Sequence, residues 1–165
     1  MYSALIIGGN KDFNLTLKNT LKLLDFNLKK ENCNLKKTSE FYDYVIINDA
    51  GRKIRTDINC RYCFVNMDTV KRASLHINGS TITYGFGSKN TLTISSLDDV
   101  YEGFVYCLQR FIKVNEQISL EPQEIPVRIS YKNEEELYAM LVSISIRMIE
   151  GVDSKDIESK LDKLI

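Results

Sequence analysis

Residues 3–11 read Ser3-Ala-Leu-Ile-Ile-Gly-Gly-Asn-Lys11, a short apolar run that ends in a glycine turn. The apolar run predicts a buried strand, because it is too short for a helix and is closed by turn-forming residues. Residues at helical spacing follow the turn, at Phe13, Leu17, Thr20, Leu21 and Leu24. This stretch therefore predicts a strand, a tight turn and a helix in succession.

Two further runs have the same character as the first strand. Phe41 to Asn48 and Cys60 to Asn66 are continuous apolar segments, and Val45 to Ile47 are all β-branched. Such runs are typical of parallel strands that are covered on both faces. The first half of the chain therefore predicts a mainly parallel sheet with flanking helices.

The second half of the chain changes character. Four strand-like runs are separated by Gly, Ser, Asn, Asp and Pro residues, and we interpret them as antiparallel hairpins. They are Ser80 to Tyr84, Thr91 to Ser96, Gly103 to Ile112 and Ile125 to Ile129. Glu134 to Glu150 is apolar around most of its circumference, which predicts a helix buried on several sides and closed by Gly151. A last helix begins at Asp153 or Ser154, with Ile157, Leu161 and Leu164 on one stripe. We predict a single α/β domain over residues 1–165, with a small antiparallel sheet attached.

Composition excludes several classes of protein. The 165 residues are 44% hydrophobic and 27% charged, which is ordinary for a globular domain and excludes disorder. Lys plus Arg and Asp plus Glu both number 22, so net charge gives no attraction to nucleic acid or acidic membranes. No apolar run approaches the roughly 18–20 residues of a membrane helix, and no secretory segment is visible. We expect a cytoplasmic protein that binds neither nucleic acid nor membranes.

The turn Gly8-Gly9-Asn10-Lys11 lies where a phosphate-binding loop would lie, between a strand and a helix. A P-loop requires G-x-x-x-x-G-K-[ST], and this turn has no Gly-Lys-Ser/Thr. Lys11 is followed by Asp12, whose carboxylate repels phosphate. We interpret the segment as a plain strand-to-helix turn, with nucleotide binding as the alternative.

Cys60 and Cys63 form a single C-x-x-C, which is compatible with a thiol-redox pair. A tetrahedral zinc site requires four ligands, and His76 is the chain's one histidine. The pair lies on an apolar strand, where cysteine usually serves as a small hydrophobic residue. We predict that Cys63 and Cys107 are core residues, that Cys60 is more exposed, and that thiol reagents reach at most Cys33 and Cys60 quickly.

The order of motifs in residues 41–165 resembles the second half of the central domain of the Mur ligase family. These proteins are ATP-dependent amide ligases of cell-wall precursor synthesis, related to folylpolyglutamate synthases. The resemblance is carried by Val65 to Asp68, Ile82 to Gly87, the antiparallel strands, the apolar helix, and the segment from Glu150 to Ile157. It implies the fold, and it implies that any nucleotide would contact Gly8, Gly9, Asn10, Lys11, Asn66 and Asp68.

The sequence departs from the family where catalysis takes place. The family's first strand leads into Gly-Thr-x-Gly-Lys-Thr-Thr, and the turn from Gly8 to Asp12 lacks the Lys-Thr pair. Thr69 replaces the second Asp of the family's Asn-x-Asp-Asp, and Glu136 or Ala139 falls where the family has an adenine-facing Asn. The family's outer domains have no counterpart, so we expect their contact surfaces to be covered by self-association.

Our leading hypothesis is a non-enzymatic, Mur-ligase-like domain without cofactor or metal. It would act through an unidentified protein partner or as a homodimer, for which zero net charge offers no opposition. One alternative is a nucleotide-binding protein or an accessory protein of an ATP-dependent amide ligase. A thiol-redox protein that uses Cys60 and Cys63 is the other.

Overall fold

The computed structural model describes residues 1–32, 40–49, 56–70, 75–98, 100 and 102–162. The helices are α1 (Lys11–Leu23), α2 (Glu134–Ile149) and α3 (Ser154–Asp162). The first five strands are β1 (Tyr2–Ile7), β2 (Leu28–Asn32), β3 (Phe41–Ile47), β4 (Thr56–Asn66) and β5 (Leu75–Tyr84). The remaining strands are β6 (Leu92–Asp98), β7 (Gly103–Leu108), β8 (Ile112–Lys113), β9 (Ser119–Leu120) and β10 (Gln123–Val127).

Eight of these strands form one sheet in the order β10-β7-β6-β5-β4-β3-β1-β2. The pairs from β2 to β5 are parallel, and β6 joins β5 in the same direction through the single pair Tyr84 and Leu92. β7 and β10 continue the sheet with antiparallel pairs, while β8 and β9 form a separate antiparallel ribbon. The predicted α/β class, with a mainly parallel sheet, flanking helices and a small antiparallel sheet, is confirmed.

One detail of the predicted topology is wrong. Ser80 to Tyr84, predicted to pair in a hairpin, is the second half of β5 and pairs parallel to Tyr62–Asn66 of β4. Turn-forming residues between two strands show that the chain bends, but they do not fix the direction in which the next strand pairs.

Helix α2 lies at the centre of the larger hydrophobic core. Twelve of its sixteen residues are buried, which confirms the prediction of a helix packed on several sides. It contacts α1, α3 and β5. Gly151, at φ +91°, ends the helix as predicted, and the amide of Val152 donates to the carbonyl of Arg147 at 3.0 Å.

A second, smaller core cluster involves the other side chains of the parallel strands. It consists of Ile7, Val45, Ile47, Ile58, Cys60, Cys63 and Val65. Alternation along β1, β3 and β4 thus gives both sheet faces an apolar surface, as continuous apolar strands predict.

None of the three helices in the described part of the chain has the length and apolar character that crossing a bilayer requires.

Candidate functional site at the carboxyl edge of the sheet

The glycine turn after β1 is pressed against the chain that leaves β3. Gly8 has φ +71°, and a Cβ atom placed on it would lie 1.8 Å from the carbonyl oxygen of Asp49. The amide of Asn48 donates to the carbonyl of Ile7 at 2.9 Å, which extends the pairing of the two strands. Both the backbone conformation and the lack of space require glycine at position 8.

Asn10 serves as the N-cap of α1. Its Oδ1 accepts a hydrogen bond from the amide of Phe13 at 2.9 Å, and Nδ2 of Asn14 donates to the carbonyl of Gly9 at 2.7 Å. The first turn of the helix is also tied to α2, because Nδ2 of Asn133 donates to Oδ2 of Asp12 at 2.9 Å. The Asn10 side chain therefore occupies the Phe13 amide, one of the N–H donors at the helix start that a phosphate loop would direct at its ligand.

Asn48 lies at the centre of a buried polar network, which we call the carboxyl-edge network. Its Oδ1 accepts from Nδ2 of Asn66 at 3.1 Å and from the hydroxyl of Tyr84 at 2.9 Å. Its Nδ2 donates to Oε2 of Glu135, in the first turn of α2, at 2.7 Å. Asn48, Asn66 and Tyr84 are each at most 1% exposed, so the network joins β3, β4 and β5 away from water and reaches α2 through the half-buried Glu135.

Asp68 extends this network towards the surface. Its amide donates to Oδ1 of Asn66 at 3.0 Å. Its Oδ2 accepts from the hydroxyl of Tyr138 and from the amide of Phe86, both at 2.8 Å. A Cβ on Gly85 would lie 2.6 Å from Oδ1 of Asp68, so glycine permits this close approach. The carboxylate therefore already accepts two hydrogen bonds from the protein.

The two tyrosines of the site are held as neutral donors. Burial raises the pKa of Tyr84 well above its usual value, and the nearby Glu135 carboxylate adds to the effect. Burial, followed by the hydrogen bond to Asp68, raises the pKa of Tyr138. At neutral pH each phenol stays protonated and donates a hydrogen bond, Tyr84 to the amide oxygen of Asn48 and Tyr138 to the carboxylate of Asp68.

The six predicted nucleotide-binding residues lie at one edge of the sheet. Gly8, Gly9, Asn10 and Lys11 follow β1, whereas Asn66 ends β4 and Asp68 follows it. β3 lies between those strands, and its Asn48 connects them by accepting from Asn66 and bonding to Ile7. We did not predict Asn48 as a site residue. Its position at the end of an apolar strand, like that of Asn66, is the sequence signal that could have identified it.

The thiol pair lies away from this edge, in the smaller core cluster. The β4–β5 register shifts between Asn59 and Tyr62, and this bulge brings Cys60 and Cys63 to the same face of the sheet. A hydrogen bond from Cys63 lowers the pKa of Cys60, and the same contact together with burial raises the pKa of Cys63. Both thiols are buried, at 3% and 0% exposure.

Two of the predicted cysteine environments are wrong. Cys60 is buried rather than exposed, because the bulge turns its side chain into the apolar cluster. Cys107 is only half-buried rather than a core residue, and burial together with Glu124 of the neighbouring strand raises its pKa. Cys33 lies outside the described residues.

His76, the histidine considered for a zinc site, lies at the surface. Its Nδ1 lies 2.9 Å from Oδ1 of Asp57. No group of three or more His, Cys, Asp or Glu side chains capable of holding a metal ion occurs among the described residues.

A groove of about 530 Å³ separates α1 from the edge strand β2. Its floor is apolar, and three lysines at its border are exposed. We did not predict this groove. Its residues come from α1, β1, β2 and the turn between α1 and β2, so only the folded arrangement brings them together.

Comparison with known proteins supports the fold only. No protein-family model matches the sequence, and no curated protein matches it. Among solved structures, the crystal structure of MurF from Acinetobacter baumannii is similar, with a TM-score of 0.57 and 11% identity. The chain has a Mur ligase-like fold. The alignment covers 98% of this chain and 46% of that MurF chain, so this chain spans about half the length of the similar structure.

Proposed function

We propose that this chain is a non-enzymatic domain with a Mur ligase-like fold, which acts through protein contacts or self-assembly. The observation that carries the proposal is the carboxyl-edge network around Asn48, at the edge where open α/β sheets usually bind ligands. In this chain that edge is closed by hydrogen bonds between β3, β4, β5 and α2.

The residues at this edge do not fit a magnesium triphosphate. The cap of α1 uses the Phe13 amide, and Asp68 already accepts from Tyr138 and Phe86. The turn contains no Lys-Thr pair, and the carboxylates of Asp12 and Glu135 bring negative charge to the place of the phosphates. Each lost charge-assisted contact weakens binding by roughly 1.5–3 kcal/mol. Three such losses leave the dissociation constant for Mg-ATP at about millimolar or higher.

Exposed apolar side chains support a role in protein contacts. Phe111 and Ile118, next to the strands of the β8–β9 ribbon, are 66% and 54% exposed, and Leu97 at the end of β6 is 53% exposed. Net charge is zero, so electrostatic repulsion between copies does not oppose association.

Calorimetric titration with Mg-ATP tests the loss of nucleotide binding. We expect no saturable binding below millimolar concentration. The variant Asp68→Ala probes the candidate site, and Asp156→Ala, on the surface of α3, is the matched control. Micromolar binding that Asp68→Ala removes and Asp156→Ala preserves would refute the proposal in favour of a nucleotide-binding protein.

Light scattering behind a sizing column tests self-assembly separately. A dimer has twice the 19.0 kDa mass of one chain, and we expect that mass at tens of micromolar protein. A single species of monomer mass would refute the dimer and would leave contacts with a different protein as the remaining form of the proposal.

A further inference from the structure

We propose that the groove between α1 and β2 binds a single-chain anionic amphiphile, with its apolar tail on the floor and its carboxylate at the lysine border. The site lies on the flank of α1 that faces β2 and does not include the carboxyl-edge network. It is therefore independent of the proposed function.

The floor of the groove is built from two strands, one helix and the turn that joins them. The apolar residues that form it are Ala4, Ile6, Leu17, Leu21, Phe26 and Leu28. Ala4, Leu17, Leu21 and Phe26 are buried, whereas Leu15 on the rim is 52% exposed. A concave apolar surface of this volume is in the roughly 300–1,000 Å³ range of small-molecule sites.

The border of the groove is basic. Lys11, Lys18 and Lys30 line it and are exposed. Nζ of Lys30 donates to Oδ1 of Asn14 at 2.8 Å, which holds that lysine across the groove from β2 towards α1. No described lining residue is acidic. An apolar floor with positively charged side chains at its border is complementary to an aliphatic chain that ends in an anion.

The size of the groove favours a single chain over a protein segment. A partner helix is recognised through apolar residues spaced over two or more turns and requires an elongated apolar face. Here the lining is confined to α1, β2, the turn that joins them and two residues of β1. We therefore choose a free long-chain carboxylate as the occupant, and treat a peptide or a lipid surface as competing outcomes.

Calorimetric titration with dodecanoate, below its micelle-forming concentration, tests this site on the full chain. We expect saturable one-to-one binding, with decanoate about tenfold weaker or more, because each buried methylene adds roughly fourfold in affinity. Dodecanol, which keeps the chain and lacks the charge, should bind about fivefold weaker or more. Hexanoate, which keeps the charge and lacks most of the chain, should not bind detectably.

Two neighbouring lysines on β2 provide the matched variants. Lys30 lines the groove, and Lys29 is exposed but does not line it. We expect Lys30→Gln to weaken dodecanoate binding about threefold to fivefold, and Lys29→Gln to leave it unchanged. Circular dichroism checks that both variants keep the fold.

Four results would overturn the proposal. The first is the absence of saturable dodecanoate binding. The second is equal affinity for dodecanoate and dodecanol, and the third is equal weakening by Lys29→Gln and Lys30→Gln. The fourth is that the protein does not bind free dodecanoate but binds anionic phospholipid vesicles, or an acidic amphipathic peptide, in a way that depends on Lys30. That result would assign the groove to a lipid surface or to a protein partner.

Discussion

Helix α1 borders two regions of opposite character. At its amino end, Asn10, Asp12 and the turn before them bond to other parts of the protein, next to the buried network around Asn48. Along its flank towards β2, apolar side chains line a groove whose border consists of exposed lysines and of asparagines. The hydrogen-bonding groups at the amino end are thus paired within the protein, while a concave surface remains open beside them. Substitutions in the hydrogen-bonded groups at the amino end of α1 and in the carboxyl-edge network should therefore affect stability, and substitutions at the groove border should not.

The largest effect is expected from Asn48→Ala. It leaves Nδ2 of Asn66 and the hydroxyl of Tyr84 without their partner in a buried site, and it removes the donor to Oε2 of the half-buried Glu135. Each unsatisfied buried group costs about 1–3 kcal/mol, so we expect at least about 2 kcal/mol less free energy of unfolding. Urea denaturation measures it.

The control is an asparagine pair at the exposed end of β4 and β5. Nδ2 of Asn78 donates to Oδ1 of Asn59 at 2.9 Å near solvent, so Asn78→Ala should change stability by no more than about 0.5 kcal/mol. A loss below about 1 kcal/mol in Asn48→Ala would show that the network is not closed as described.

The second-largest effect on stability is expected at high pH, through Tyr84 and Tyr138. The pKa values of Tyr84 and Tyr138 are raised in the folded state, so the folded protein holds more protons than the unfolded chain above pH ~10. Their stabilising effect is complete below that pH and is lost as pH rises, at up to about 1.4 kcal/mol per tyrosine and pH unit.

Ultraviolet absorbance of phenolate during alkaline titration, with urea denaturation at each pH, checks this expectation. Tyr138→Phe should reduce the slope of stability against pH. Phenolate formation by Tyr84 at its ordinary pH, in a protein that stays folded, would contradict the buried hydrogen bond to Asn48.

Loss of the helix cap should have an intermediate effect. Asn10→Ala removes the acceptor of the Phe13 amide, which should cost about 1 kcal/mol of stability. Asn19→Ala, on the exposed surface of α1, is the control and should be neutral or slightly stabilising because alanine favours helix. Equal effects of the two substitutions in thermal denaturation would count against the cap.

The smallest effect is expected at the groove border. Lys30→Gln removes one exposed hydrogen bond to Asn14, and its free energy of unfolding should stay within about 0.5 kcal/mol of the parent. A larger loss in urea denaturation would mean that the lysine supports the fold instead of standing free for a ligand.

Much of the fold could be predicted because burial leaves a periodic record in the sequence. The continuous apolar runs of β1, β3 and β4 and the apolar circumference of α2 led directly to the sheet and its central helix. The direction of β5 could not be predicted, since turn residues do not encode it. The environment of Cys60 depends on a bulge that strand alternation does not reveal.

The candidate site could be predicted only in part, because it too depends on how the strands pair. The six proposed nucleotide-binding residues, Gly8 to Lys11, Asn66 and Asp68, came from the glycine turn and the family resemblance, and the structure places them at one edge of the parallel sheet. The role of Asn48 depends on the register that places its amide between Asn66, Tyr84 and Glu135. Three-dimensional register is not contained in the local pattern of any one of these strands.

An amide-resolved NMR titration with Mg-ATP tests most directly the claim that the carboxyl edge is closed to nucleotide. We expect the amide signals of Gly9, Phe13, Asp68 and Gly85 to stay in place up to millimolar Mg-ATP. Saturable shifts of these four signals at micromolar Mg-ATP would contradict it, because they would show that a nucleotide occupies the edge that the network is described as filling.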